Sequence, residues 1–406
     1  MRAVWKPCRL AGKLDAPSSK SMAHRYLIGA ALTGEACELS GVDCSEDIAA
    51  SIDCLRALGA AIDVQGDAVR VRVHADRERF LHTDDPVLYC RESGSTLRFL
   101  IPLALCMGNP VTFCGSTRLM ERPLAVYEAL CRERGFRFAK DTGSLTVCGR
   151  LTGGRYTVHG DSSSQFLTGL IFALVWLGEE AEIVIVPPFA SRSYVHLTIA
   201  ALHDFGAAVS FADEHTIRIG STRLHAYSGK IEGDYSNAAF LDGFNCLGSH
   251  VEIGNLREDS LQGDRVYGSY FRALSAGTPT LDISDCPDLG PILIALAALQ
   301  NGATFTGTDR LRIKESDRGA AMCEELCKLG GGLTIGADCI TVPKQTLCYH
   351  GTPLSGHNDH RIVMACAVLL SRMGGEMDGI EAVRKSYPRF FEDIQKLGAE
   401  VTLYDR

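Results

Sequence analysis

Hydrophobic and polar positions along this chain fall into a pattern that returns. Six stretches, at 18–41, 92–115, 161–186, 234–254, 285–307 and 358–379, open on small polar or charged residues and continue as apolar runs rich in small side chains. The openings read RESGST, GDSSSQ, GDYSN, DCPD and NDHR, and the runs read LGPILIALAAL or RIVMACAVLL. Apolar residues nearly all round such a run predict a helix buried on every side. Most stretches then reach a Gly and a short strand-like run, as in GATFTG and EAEIVI.

A second run follows each first one, as in DIAASIDCLRALGAAIDV, YVHLTIAALHDFGAAVSF, GAAMCEELCKLGGGLTI and YPRFFEDIQKLGAEVTL. Apolar residues at i, i+3, i+4 and i+7 predict amphipathic helices, each ended by a left-handed Gly. A further strand follows, often closed by a tight turn: Gly66-Asp67, Asp141-Thr142-Gly143 and Ala212-Asp213-Glu214. The recurrence, at roughly 70 residues, is a repeat period. The fourth copy is shortened and irregular over 256–279.

Six β-α-β-α-β-β units predict an α/β protein whose first helices lie inside, with sheets packed outside them, unlike a doubly wound fold with its central sheet. Three units make a domain of ordinary size. The polar break at 225–230 lies between the third and fourth units, and a second crossing is expected near 11–14.

Composition narrows the function. With 46% hydrophobic and 22% charged residues, the 406-residue chain is globular. A net charge of −8 argues against nucleic acid or an anionic membrane as partner. An anion site would need a local gathering of Lys and Arg. The 16 Cys include no C-x-x-C, Cys323 and Cys327 sit four apart in a helical pattern, and residues 1–10 do not read as a secretory signal. Reduced cytosolic thiols are expected, not disulfides or zinc ligands. No apolar run is long enough to predict a membrane span.

The candidate chemistry sits at the helix starts. In APSSKSMAHR a helix is expected over Ser21–Leu32, capped by Ser18 or Ser19, with Lys20, Ser21, His24 and Arg25 in its first turns. Cations at a helix N-terminus oppose the macrodipole, so this arrangement points to a bound anion. Gly94, one turn before Arg98, lets backbone approach a ligand. Arg122 precedes Pro123, which suits the first position of a helix. Ser163, Ser164 and Gln165 are neutral donors suited to phosphate, and Ser191 and Tyr194 follow Pro187-Pro188. Asp288, before an apolar helix, is either an N-cap or a functional carboxylate. Lys314, Glu315 and Arg318 are expected on consecutive turns of one face. Arg361 opens a further helix, and Lys385 precedes Tyr387-Pro388. If the buried helices of a domain run parallel, their N-termini collect at one anion-attracting face.

The motifs APSSKSMAHR, ESGSTLR, MERP, GDSSSQF, SRSY, DCPDLGPIL, RLRIKESDR, NDHR and RKSYPRFF stand in one order along the whole chain. In them the chain resembles the enolpyruvyl transferases. The resemblance implies two similar hinged domains, an inside-out α/β barrel each: 14–232, and 1–13 plus 233–406. It implies transfer of the enolpyruvyl group of phosphoenolpyruvate to the 5-hydroxyl of shikimate-3-phosphate. The sister enzymes act on UDP-N-acetylglucosamine and carry Lys-Asn where this chain has Lys20-Ser21.

Carried over residue by residue, Lys20, Gly94, Arg122, Gln165, Arg318, Arg361 and Lys385 hold phosphoenolpyruvate. Lys20, Ser21, Arg25, Ser163, Ser164, Gln165, Ser191, Tyr194, Asp288 and Lys314 hold shikimate-3-phosphate. Asp288 and Glu315, assisted by Lys20, move the protons. The resemblance implies no metal and no organic cofactor, and closure on substrate. A cytoplasmic monomer without nucleic-acid or membrane partners is expected. Glu92, Phe99 and Arg310 depart from the family pattern, where Asn, Pro and Asn are common in turn.

Overall fold

The repeated pattern becomes a repeated sheet. The computed structural model describes residues 1–65, 70–74, 76, 79–160 and 163–405, so the expected turn at Gly66-Asp67 lies outside the described residues. The chain forms two units: a contiguous one over 18–232, and a split one of 1–17 with 233–406.

In the contiguous unit three four-stranded sheets share one order. Val87–Tyr89 pairs in parallel with Val111–Cys114, which pairs antiparallel with Ser144–Cys148, which closes a hairpin with Arg137–Lys140. Gly154–His159, Ala181–Val186, Thr216–Ile219 and Val209–Phe211 repeat that order. The third sheet borrows its outer strand, Ser228–Lys230, from the end of the unit and sets it beside Cys37–Ser40, followed by Arg70–His74 and Ala61–Gln65. Ala181–Val186 buries every second residue, as a sheet with one face on the core must.

Inside lie the helices Lys20–Thr33, Gly94–Ala104 and Ser164–Leu177. The last is buried except for Gln165 and its final two residues, as its apolar circumference requires. The second and third run parallel: Ser95 meets Gln165 at their starts, and Cys106, just past the end of one, meets the Ala173 carbonyl near the end of the other. Between those points Gly169 permits the close approach, since a Cβ there would collide with the Arg98 carbonyl oxygen of the neighbouring helix.

The split unit repeats the scheme with one sheet cut short. Thr280–Asp282, Gly302–Thr306, Cys339–Pro343 and Thr334–Ile335 form one complete sheet. Leu354–Ser355, Gly375–Asp378, Arg2–Trp5 and Val401–Tyr404 form the other. Among the described residues, Ala11–Asp15 and His250–Gly254 form a parallel pair alone. The irregular stretch supplies a 3₁₀ turn, Gly263–Val266, and the helix Tyr267–Ala276 in place of a hairpin. The expected crossing at 13/14 moves to 17/18, because a break at 13 would cut the strand that pairs Ala11 with His250 through Asp15 with Gly254. The buried helices here are Tyr235–Asn245, Gly290–Leu299 and His360–Met373.

Candidate active site

In the contiguous unit the helix starts carry two hydrogen-bonded clusters. Ser19 caps the helix that begins at Lys20, its Oγ accepting from Met22 N–H at 3.4 Å. Lys20 Nζ donates to Asp47 Oδ2 at 2.8 Å, from the first turn of Glu46–Ala57. Arg25 is buried and spends its donors on neutral oxygens: Nε on Thr198 Oγ1 (2.9 Å), Nη1 on the Ser21 carbonyl (2.7 Å), and Nη2 on the Tyr194 carbonyl (2.9 Å) and Thr168 Oγ1 (3.4 Å). Burial lowers its pKa to about 10. Its guanidinium lies 5.4 Å from the Phe99 ring centre, so Phe99 supplies an aromatic face beneath the cation. His24, from the same turn, points into the core instead, with Nδ1 2.8 Å from Ser51 Oγ; burial holds it well below the usual imidazole range.

The second cluster surrounds Gly94. Arg98 Nη1 donates to Gln165 Oε1 at 2.7 Å, and Gln165 Nε2 donates to Ser95 Oγ at 2.9 Å. Pro102, inside the Gly94–Ala104 helix, has no N–H for the Arg98 carbonyl. The Tyr127 hydroxyl lies 2.7 Å from that carbonyl and takes over as donor. A Cβ on Gly94 would stand 2.6 Å from Arg122 Nη1. Arg122 is buried, and among the described residues its guanidinium has no hydrogen-bond or ionic partner. It closes the short helix Thr117–Glu121 as C-cap. Pro123 therefore precedes the Leu124 cap of Ala125–Arg134, where the first helical position was expected.

Ser163 caps Ser164–Leu177 through Gln165 N–H, and Ser164 is buried at its start; Asp161 and Ser162 of the same motif lie outside the described residues. Ser191 sits buried at φ 54°, before the helix Arg192–Asp204 that carries Tyr194. A non-glycine residue held there costs about 1–3 kcal/mol, which the surrounding packing must offset.

In the split unit Asp288 is the hub. It lies in the 3₁₀ turn Pro287–Leu289 and does not cap the helix Gly290–Leu299, which has no side-chain cap among the described residues. Its Oδ1 accepts from Arg318 Nη1 at 2.8 Å and Lys314 Nζ at 3.1 Å, and its Oδ2 from Arg361 Nη2 at 3.3 Å. Burial pushes the carboxyl up, but Lys314, Arg361 and Arg318 outweigh it and hold Asp288 well below the usual carboxylate range.

Arg318 also donates to Glu315 Oε2 (2.8 Å) and Asp359 Oδ2 (2.8 Å). Lys314 and Glu315 do not share a helical face with it, as the spacing had suggested. Lys314 ends the 3₁₀ turn Asp309–Ile313, and Arg318 begins the helix Arg318–Lys328 after a bend. The bend lets Lys314 and Arg318 approach the same Asp288 oxygen. Lys385 Nζ donates to the Asn358 carbonyl at 2.5 Å. Arg361 keeps Nε and Nη1 buried without hydrogen-bond partners among the described residues, a ready pair of donors for an anion.

Two acids here escaped the sequence reading. Asp359 caps His360–Met373 and grips Arg318; its place in NDHR was the available signal. Asp264, buried in the turn Gly263–Val266, is pushed up to about 7 by burial and by the Asp288 charge. Nothing in the sequence around Asp264 marks it.

The family model for EPSP synthase (3-phosphoshikimate 1-carboxyvinyltransferase) matches residues 4–276 and 274–394. A 3-phosphoshikimate 1-carboxyvinyltransferase of Clostridium kluyveri is 37% identical, with 97% of each chain covered, and one of Clostridium perfringens is 35% identical over 98% of each. An EPSP synthase structure from Acinetobacter baumannii shares the fold with a TM-score of 0.78 at 20% identity, covering 100% of both chains. The enolpyruvyl transferase NikO of Streptomyces tendae shares it at 0.75 and 15% identity, covering 99% of this chain and 98% of that one.

Proposed function

The chain belongs to the EPSP synthase (3-phosphoshikimate 1-carboxyvinyltransferase) family, and from that premise we propose which of its side chains carry the reaction. It transfers the enolpyruvyl group of phosphoenolpyruvate to shikimate-3-phosphate and releases phosphate. The 5-hydroxyl oxygen adds to C2 of phosphoenolpyruvate while C3 gains a proton. Loss of phosphate and of a C3 proton from the tetrahedral adduct then restores the double bond. The chemistry needs a base at the hydroxyl and a proton carrier at C3.

Asp288 is our base and Glu315 our carrier at C3, with Lys20 assisting. The observation that carries this reading is the sharing of one ionised carboxylate, Asp288, among Lys314, Arg318 and Arg361. Substrate phosphate and carboxylate groups compete for those cations. As their hold on Asp288 weakens, its basicity rises, and it rises only when substrate is present. Arg318, Arg361 and Lys385, with Lys20, Gly94, Arg122 and Gln165, hold phosphoenolpyruvate. Arg122 and Arg361 suit it best, because Arg122 keeps Nε, and Arg361 keeps Nε and Nη1, buried without a partner among the described residues. Ser21, Arg25, Ser163, Ser164, Ser191, Tyr194 and Lys314, together with Lys20, Gln165 and Asp288, hold shikimate-3-phosphate.

No helix among the described residues is long and apolar enough to cross a membrane; our reading is a cytoplasmic monomer.

The test is phosphate release from phosphoenolpyruvate with shikimate-3-phosphate or UDP-N-acetylglucosamine as acceptor. Release with shikimate-3-phosphate alone is expected, and its loss in Asp288→Ala with binding retained would place Asp288 in the chemistry. Release with the sugar nucleotide would overturn the acceptor. Binding without release from either would leave a silent binding protein.

A further inference from the structure

Beyond the groups that face substrate, one buried acid holds the loop from which several of them project. Glu325, on the helix that opens with Arg318, is fully buried. It accepts from Lys328 Nζ at both oxygens (2.9 and 3.0 Å) and from the backbone N–H of Ser355 at 2.9 Å, and its Oε1 lies 2.5 Å from His357 Nε2. Burial pushes its carboxyl up, but the bonds from His357, Lys328 and Ser355 outweigh this and keep the pKa below its ordinary value.

The loop so held is strained. His357 and Asn358 sit consecutively at φ 47° and 52°, the left-handed region that side chains other than Gly rarely adopt. On the far side, Gly356 packs against the strand end: its N–H donates to the Asp378 carbonyl at 2.8 Å, and a Cβ there would stand 2.5 Å from the Gly379 carbonyl oxygen. Directly after the strained pair come Asp359, which grips Arg318, and Arg361, while the Asn358 carbonyl accepts from Lys385. The helix Arg318–Lys328 thus supplies Arg318 at its first turn and, two turns on, fixes the segment that orients Arg361 and Lys385.

We propose that Glu325 and His357 are positioning residues for phosphoenolpyruvate binding: their contact holds 355–359 in its left-handed turn and thereby sets Asp359, Arg361 and Lys385. This rests on the assignment of Arg361 and Lys385 to phosphoenolpyruvate. Glu324, Glu325 and His357 could otherwise be read as metal ligands. The Lys328 ammonium already lies against both Glu325 oxygens, where such an ion would have to sit.

His357 is on the rim of the cluster, so His357→Ala removes the contact with little loss of packing. His357→Gln places an amide donor at a similar reach and is the rescue variant. The expected result for His357→Ala is a rise in KM for phosphoenolpyruvate of about tenfold, a smaller change in KM for shikimate-3-phosphate, and faster amide exchange over 355–361, all largely reversed in His357→Gln. Unchanged KM for phosphoenolpyruvate, or an equal rise for both substrates, would overturn the proposal even if the melting temperature fell. If His357→Ala does not fold, His357→Asn, too short to reach Glu325, is read in the same way. Failure of the wild-type protein to turn over shikimate-3-phosphate would instead count against the parent assignment, and amide exchange over 355–361 would still decide whether His357 holds the loop.

Discussion

Arg122 Nη1 stands 2.6 Å from where a Cβ on Gly94 would lie, so the guanidinium of one residue fills the space left by the missing side chain of the other. Gly94→Ala must push Arg122 aside. Its KM for phosphoenolpyruvate should rise about tenfold, the cost of displacing one charged contact, while kcat changes much less. Steady-state kinetics checks this, and an unchanged KM would show that Arg122 does not contact phosphoenolpyruvate.

Arg122 is also a buried charge with no acidic partner among the described residues. Without ligand such a charge is a liability, and with an anion it becomes an asset. Arg122→Gln should leave the melting temperature of the ligand-free protein unchanged or slightly higher. The same variant should lose much of the rise that phosphoenolpyruvate with shikimate-3-phosphate brings. Thermal unfolding with and without the two substrates measures both effects.

Removing Asp288 separates chemistry from binding. Asp288→Ala deletes the base, and kcat should fall about 10³-fold, within the range for general base catalysis. It also frees Lys314, Arg318 and Arg361 from a competing carboxylate. Affinity for phosphoenolpyruvate should therefore hold or improve, as calorimetric titration would show. A large loss of affinity would mean that Asp288 serves chiefly to keep the three cations in place.

Asp264 predicts a pH dependence of stability. Its carboxyl is at about 7 in the folded protein against 3.8 as the ordinary value. Between those values the unfolded chain releases the proton and the folded chain keeps it, so stability from this group falls as pH rises from 3.8 to 7 and then levels off. Asp264→Asn removes that decline. The variant should gain melting temperature over the wild type at pH 8 and gain less at pH 5. An equal difference at both values would remove Asp264 as the source.

Most of the fold could be read because burial writes a period into sequence. The run LGPILIALAAL has no polar face, and the helix it forms, Gly290–Leu299, is buried at every residue but the last. The exchanged strands were harder. Nothing local tells Ser228–Lys230 to join Cys37–Ser40, or Ala11–Asp15 to join His250–Gly254, since long-range pairing leaves only ordinary strand patterns behind. At the site, positions at helix starts were legible because charge there opposes the dipole. Lys314 and Arg318 were misread because four-residue spacing suggests one helix face, whereas a bend brings both side chains onto Asp288. Asp264 stayed hidden because its raised pKa comes from burial in the folded chain and then from a neighbour distant in sequence, Asp288.

The strand Arg2–Trp5 lies between Gly375–Asp378 and Val401–Tyr404, with Arg2 opposite Tyr404. That strand is therefore made long before either of its partners. The body formed by 18–232 is contiguous and has all its strands once residue 232 has emerged. The other body must wait for Val401–Tyr404, with a bare strand edge available for mispairing in the meantime. Because Arg2 lies opposite Tyr404, a rearranged chain that links Tyr404 to Arg2 through a short linker and opens elsewhere would make these strands consecutive in translation, and should aggregate less during synthesis.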